Sequence, residues 1–315
     1  MPVNHAIVVD HGVPGNLTVR DVPMPTPLPS EAVVRVAALS LNRGETRRAM
    51  QASDGWRPGW DLAGVVEQAA ADGAGPQQGA RVVGLMPSGA WGAHVAVPTN
   101  ALAVLPDAVT FAQAATLHVA GLTALYALAR RGLLLKRRVL ITGATGGVGD
   151  FAIQLARLAG AQVIAAVRRA EQAAIVKQVG ADDVVVGDDV AAFSQFAPYD
   201  LVVESVGGQP LALALAVLAK DGVCVALGVS AAAETTFDVR RFFMTGRTTL
   251  YGFILFTELE AEPAAIGLAR LAGLVAAGKL KPTISVEAPW TQIAEVAQQL
   301  LNRSFPGKAV LHVAR

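Results

Sequence analysis

The segment 138–149, RVLITGATGGVG, followed at once by DFAIQLARLAG, limits what this chain can fold into more than any other stretch. An apolar run short enough for a buried strand enters a glycine-rich turn, and the turn opens a pattern with helical spacing. That order is the first half of a βαβ unit. Gly143 permits the tight turn, Gly146 and Gly147 let backbone amides approach a ligand without a Cβ in the way, and Gly149 allows close packing of the helix. Amides at a helix N-terminus favour a phosphate, so the turn is expected to hold a dinucleotide pyrophosphate, with Thr145 and Val148 completing the set of contacting residues.

The texture on either side of this segment differs. Residues 1–116 hold short Val-rich runs (EAVVRVAAL, AGVVEQ, ARVVGLM, AHVAVP) broken by Pro and Gly, which predicts an irregular β domain. Residues 117–253 alternate Ala/Leu helices with compact apolar strands (AQVIAAV, DDVVV, YDLVVES, GVCVALG), which predicts a doubly wound parallel sheet of Rossmann type. Residues 254–315 carry two helical patterns, PAAIGLARLAGLVAAG and TQIAEVAQQLLN, and two strand-like runs, KPTISV and GKAVLHV. This tail is too short to fold alone, so it is expected to return to the first domain and make it discontinuous, with a cleft between the lobes.

Composition removes several function classes. Lys+Arg 26 against Asp+Glu 25 leaves a net charge of +1, without the basic field that gathers nucleic acid. No apolar run reaches membrane-spanning length and no signal-peptide pattern stands at the N-terminus, so no membrane partner and a cytoplasmic setting are expected. The single cysteine, Cys224, lies in an apolar run and reads as a buried small hydrophobe, and one Cys cannot build a multi-thiolate zinc site.

The second nucleotide-domain strand ends in Arg168 and Arg169, where an NAD-binding fold carries an acidic residue for the ribose 2′-hydroxyl. Guanidinium groups there would bind a 2′-phosphate, so NADPH is expected over NADH, the alternative being two solvated arginines at a helix start. A short-chain dehydrogenase would need a Tyr with a Lys one turn later. Four residues after Tyr126, Tyr199 and Tyr251 stand Arg130, Val203 and Leu255, so that class is set aside.

LNRGE (41–45), PGWDLAGVV (58–66), GARVVGL (79–85), VAGLTALYAL (119–128), ATGGVG (144–149), ESVGG (204–208) and FPGKAVL (305–311) together resemble the medium-chain dehydrogenase/reductases of the zinc-independent quinone oxidoreductase type. The resemblance implies a GroES-like catalytic domain, an inserted Rossmann domain, a homodimer joined through the nucleotide-binding sheets, and hydride transfer from NADPH to a quinone or an α,β-unsaturated carbonyl. Zinc-dependent relatives place a Cys and a Gly-His-Glu where this chain has Asn42 and Gly59-Trp60-Asp61, so no zinc is expected. Asn42 matches the active-site Asn that holds the nicotinamide ribose or a carbonyl oxygen, and Thr123 the Thr that lies against the nicotinamide. Backbone groups at Leu227, Gly228, Val229 and Phe253 are implied near the carboxamide, and Arg303 as a second cation for the 2′-phosphate.

Arg47 stands where relatives often carry Tyr, and Gly187 where they carry an adenine-side Tyr. Arg47 cannot donate a proton at neutral pH but can stabilise an oxyanion, or it is a surface residue beside Arg48. Trp56, Trp60, Trp91, Phe253 and Phe256 are the aromatic residues expected to wall the acceptor site. A non-catalytic NADPH-binding redox sensor and a reductase dedicated to one biosynthetic intermediate remain as other readings.

Overall fold

The computed structural model describes residues 3–313 and divides into two compact units. One runs from the start of the chain to Leu122 and resumes at Leu259; the other is Thr123–Glu258.

The second unit is built on six parallel strands ordered Asp183–Val186, Gln162–Val167, Arg138–Ile141, Tyr199–Glu204, Leu218–Ala226, Thr249–Gly252. In order of appearance within the unit this is 3-2-1-4-5-6, the Rossmann arrangement. Parallel strands need crossover connections, and the helices Gly147–Leu158, Ala173–Val179 and Gly208–Ala216 supply several of them. Helices on both faces leave no wet side, which is why the strands are continuous apolar runs rather than alternating ones. Val139, Leu140, Ile141, Val163, Ile164 and Ala165 are all fully buried. The strand order reverses between Arg138–Ile141 and Tyr199–Glu204, so their carboxyl ends open side by side.

The first unit is β-rich. Its seven-stranded sheet runs Ile284–Pro289, Lys308–His312, Glu31–Ser40, Asp61–Gln68, Arg81–Leu85, Leu102–Val104, with His94–Pro98 also paired to Glu31–Ser40. The returning strand pairs antiparallel with the early one, Val310 opposite Ser40 and Leu311 opposite Leu39. The discontinuity is therefore written in backbone hydrogen bonds. Behind the sheet, Leu39, Leu62, Trp91, Val97, Ile293 and Leu311 belong to one buried cluster that mixes both segments.

Among the described residues, no helix is long and apolar enough to cross a membrane.

Leu311→Ala tests the return strand directly. The side chain is fully buried, so truncation should lower unfolding free energy by about 2–5 kcal/mol in a denaturant titration. A change of only about 0.5 kcal/mol, the surface level, would mean that this strand is not part of the core.

Candidate functional site

At the reversal point of the parallel sheet a buried carboxylate joins two turns. Glu204 ends its strand and accepts hydrogen bonds from the Thr142 hydroxyl (3.0 Å) and from the amides of Val206 (2.8 Å) and Gly207 (2.9 Å). Burial pushes its pKa up and these donors pull it back. The Ser205 amide in turn donates to the Thr142 hydroxyl at 2.9 Å. Gly143 follows with φ +57°, and a Cβ added there would lie 2.3 Å from Ser205 Oγ. This position therefore requires glycine on two counts.

The turn closes through Gly146 N to Gly143 O at 2.9 Å and enters the helix Gly147–Leu158. Gly149 behaves differently from the expectation of helix-against-sheet packing. Its Cβ would meet the backbone of Ala144 and Gly143 at 2.6 Å, so the close approach is of the helix start to its own turn. Gly146 is exposed, and Gly143, Thr145, Gly147 and Val148 are half-buried. An open cradle of this kind, without Cβ atoms and facing a helix N-terminus, fits a pyrophosphate.

Arg168 and Arg169 follow the strand Gln162–Val167, and both are exposed. Arg169 pairs with the exposed Glu171 at 3.0 Å, a contact weak enough to yield to an anion. Leu227, Gly228 and Val229 continue from Leu218–Ala226, and a Cβ on Gly228 would lie 2.8 Å from Ser205 O. Phe253 is buried and its amide donates to Ala226 O at 2.9 Å; Phe256 is half-buried. Thr123 is buried as the first residue of its helix.

The β-rich unit carries a second cluster, which sequence reasoning missed. Asn42 precedes the helix Arg43–Ala49, Asp61 begins one strand and Lys308 begins another. Lys308 Nζ donates to Asn42 Oδ1 at 2.6 Å and to Leu41 O at 2.8 Å, and lies 3.6 Å from Asp61 Oδ2. Asn42 Nδ2 donates to Asp61 Oδ2 at 2.8 Å and to Glu45 Oε1 at 2.9 Å. Glu45 also accepts the Asn42 amide (2.8 Å) and the Trp60 amide (2.6 Å). Glu45, Asp61 and Lys308 are all buried. Burial, then the charge of Asp61, raises the Glu45 pKa, while burial lowers that of Lys308 against the pull of both carboxylates. The available signal was a single charged residue inside each of two otherwise largely apolar motifs, PGWDLAGVV and FPGKAVL.

His118 lies beside this cluster, in a π-helical stretch, Leu117–Leu122, that no sequence period announced. Its Nε2 faces Leu62 O at 2.8 Å, its Nδ1 faces Ala115 O at 3.1 Å, and Asp61 Oδ1 stands 4.0 Å away. Burial lowers its pKa.

The remaining expected residues are dispersed. Trp91 does not wall a site: it is fully buried within the core of the β-rich unit, and a Cβ added at Gly59 would lie 2.5 Å from its Cγ, Cδ1 and backbone N. Trp56 is half-buried with the Arg48 guanidinium 5.0 Å from its ring centre. Trp60 is half-buried, covers Gly44, and donates from Nε1 to Pro87 O at 3.0 Å. Arg47 is exposed, and Arg303 is exposed with left-handed φ +58° in the β-rich unit.

Among the described residues no group of three or more His, Cys, Asp or Glu is placed to hold an ion, and the Cys224 thiol is buried with its pKa pushed up. Asn42 Oδ1 and Asp61 Oδ2 face the Lys308 ammonium at 2.6 and 3.6 Å.

A Rossmann sheet with an open glycine turn at its reversal point, joined to a discontinuous β-rich unit, defines a nucleotide-binding oxidoreductase. A family profile described as zinc-binding dehydrogenase matches residues 147–270. The chloroplast envelope quinone oxidoreductase homolog of Arabidopsis thaliana is 31% identical over 310 residues, 92% of each chain. A mycocerosic acid synthase-like polyketide synthase of Mycobacterium tuberculosis is 31% identical over 303 residues, covering 91% of this chain and 14% of the synthase. A mycobacterial protein solved in complex with NADPH superposes with a TM-score of 0.86 at 28% identity over 98% of this chain and 99% of that one. The chain belongs to the medium-chain dehydrogenase/reductase family, in its quinone oxidoreductase branch.

His118 gives a pH prediction. Because its folded pKa lies below the ordinary 6.5, the unfolded chain takes up a proton first as pH falls through that value. Stability should therefore decline on acidification from pH about 7, by up to about 1.4 kcal/mol per pH unit from this group. Urea titrations of wild type and His118→Gln across that range would show it as a flatter pH dependence in the variant. Parallel curves would contradict it.

Proposed function

We propose that this protein is an NADPH-dependent, zinc-independent reductase that delivers hydride to a quinone or an α,β-unsaturated carbonyl. The observation that carries the reading is the open glycine turn with two exposed arginines, Arg168 and Arg169, at the end of the next strand, where an NAD-specific site would hold an acid. The similarity to a quinone oxidoreductase homolog and to a structure holding NADPH supports it. Bound NADPH supplies the hydride.

In this reading the chain's own residues bind and orient. Amides of the turn containing Gly143, Thr145, Gly146, Gly147 and Val148 receive the pyrophosphate. Arg168 and Arg169 receive the 2′-phosphate, each charge-assisted hydrogen bond contributing about 1.5–3 kcal/mol. Backbone groups at Leu227–Val229 and Phe253 and the side chain of Thr123 orient the nicotinamide.

Asn42 is engaged at both ends of its amide: both N–H groups donate to carboxylates and Oδ1 accepts from Lys308 Nζ, so the amide is not free to stabilise an oxyanion. That leaves Arg47 as the exposed cation for a developing enolate or hydroquinone oxygen, with water as the proton source. Trp56, Trp60, Phe253 and Phe256 are the proposed acceptor walls. Arg48, which stacks on Trp56, would hold that ring in place.

Arg168→Asp combined with Arg169→Ala should raise the Michaelis constant for NADPH by at least about tenfold and leave that for NADH nearly unchanged. Following NADPH oxidation with benzoquinone, phenanthrenequinone, an alkenal and an alkenoyl thioester then sorts acceptors. Inactivity on all four would remove the proposal. Strong preference for the thioester would favour a second reading, a reductase dedicated to one biosynthetic intermediate, which the kinship to a segment of a polyketide synthase supports.

We further propose a homodimer through the outer edge of the parallel sheet. Thr249–Gly252 has a strand partner on one side only, and Phe243, Met244 and Leu250 beside it are exposed. Phe243→Asp with Leu250→Lys should convert a dimer to a monomer in light scattering. A monomeric wild type would refute the assembly.

A further inference from the structure

Between the helix Thr123–Ala129 and the strand Arg138–Ile141 the chain reads RRGLLLKR, residues 130–137. Three successive leucines belong in a core, yet only Leu134 is buried. Leu133 is 77% exposed, the highest value for a large hydrophobic among the described residues, and Leu135 is 58% exposed. The backbone holds them there. Arg137 N donates to Leu134 O at 2.9 Å, Lys136 N to Gly160 O at 2.8 Å and Gln162 N to Arg137 O at 2.8 Å. Leu135 lies across Gly160, where an added Cβ would stand 2.8 Å from its Cδ1. Two residues before that glycine, the helix Gly147–Leu158 ends on a third exposed leucine, Leu158.

The same segments are basic. Arg131, Lys136, Arg137 and Arg138 stand on the loop and at the start of its strand, Arg157 precedes Leu158, and Lys177 donates to Asp182 O. Three carboxylates lie among these six cations. Asp200 pairs with Arg137 at 2.9 Å and with Arg131 at 3.9 Å, Asp182 accepts from Val163 N, and Asp183 accepts from Gln162 Nε2. Positive charge is left in excess, and Lys136, Arg137, Arg138 and Arg157 are exposed. A net charge of +1 over the whole chain conceals this local concentration.

We propose that this end of the parallel sheet, with Leu133, Leu135 and Leu158 set among cations, docks on an anionic lipid surface. Exposed leucines lose water by entering the boundary between headgroups and acyl chains, while the surrounding guanidinium and ammonium groups meet lipid phosphates. A second protein would satisfy the leucines equally well, but the excess charge favours a surface dense in anions. Attachment of this kind needs no spanning segment. Arg138, Gln162, Asp183 and Tyr199 begin their strands, so the docking face is at the amino ends of the sheet. The glycine turn follows the carboxyl end of Arg138–Ile141, and the inference is therefore independent of the proposed reaction.

The test is co-sedimentation of the full chain with phosphatidylcholine vesicles, with and without phosphatidylglycerol. Wild type should bind the anionic vesicles at least about tenfold more strongly than the neutral ones, and salt at about 1 M should release it. Leu133→Ser with Leu135→Ser should weaken anionic-vesicle binding about tenfold, and Lys136→Glu by a similar factor. Should the double leucine variant unfold below the wild-type midpoint, Leu133→Ser alone, at the most exposed position, carries the comparison with the same expected direction. Wild type left in the supernatant with both vesicles, equal binding to both, or leucine variants that bind as wild type does would each overturn the inference. Self-association of the wild type that the leucine substitutions abolish, without vesicle binding, would also overturn it and assign the leucines to a second copy of the chain.

Discussion

A buried parallel sheet has nowhere to show its hydrogen-bonding groups except at its ends, and that constraint organises this protein. Helices cover both faces, so the chain meets a ligand where strands stop and helices begin. The reversal of strand order parts the connections at that point, and Glu204 holds the two adjacent turns in register through Thr142, Val206 and Gly207. A carboxylate with those donors, one hydroxyl and two backbone amides, costs less to bury than a free one. The glycines at 143, 146 and 149 then serve three different ends: a left-handed bend, an open face, and contact of the helix start with its own turn.

Much of this architecture could be read from residue patterns because the relevant forces are local or periodic. The uninterrupted apolar runs 139–141 and 163–167 mark strands covered on both faces, and the spacing in 264–276 and 293–301 marks helices with one buried side. The tail is too short to bury itself, and within the first unit Val310 pairs with Ser40.

What escaped was non-local. A lysine in FPGKAVL has the local signature of any strand-edge lysine, and only a partner 266 residues away makes it a buried cation. Trp91 was read as a wall because large aromatics suit ligand sites; its burial depends on a glycine at 59 that admits the indole against the backbone. The π-helical stretch before Thr123 has no compositional mark, since wide turns reflect how a helix is held at both ends.

The glycine turn presents backbone dipoles that cannot titrate, whereas the cluster around Asn42 gathers two carboxylates and one ammonium in the interior. Such an interior has little tolerance for partial change, because deleting one member leaves another buried without its counter-charge. It also holds the Asn42 amide in one orientation, because turning it over would set its donors against the Lys308 ammonium.

Order of synthesis adds a further consequence to the discontinuous sheet. Thr123–Glu258 has emerged in full from a ribosome while the strand Glu31–Ser40 still lacks its neighbour, so the parallel sheet can mature first and the β-rich unit must wait, its edge open, for residues 308–312. The last strand to arrive also brings the ammonium. Until then Glu45 and Asp61 lack the Lys308 ammonium that neighbours them in the folded chain.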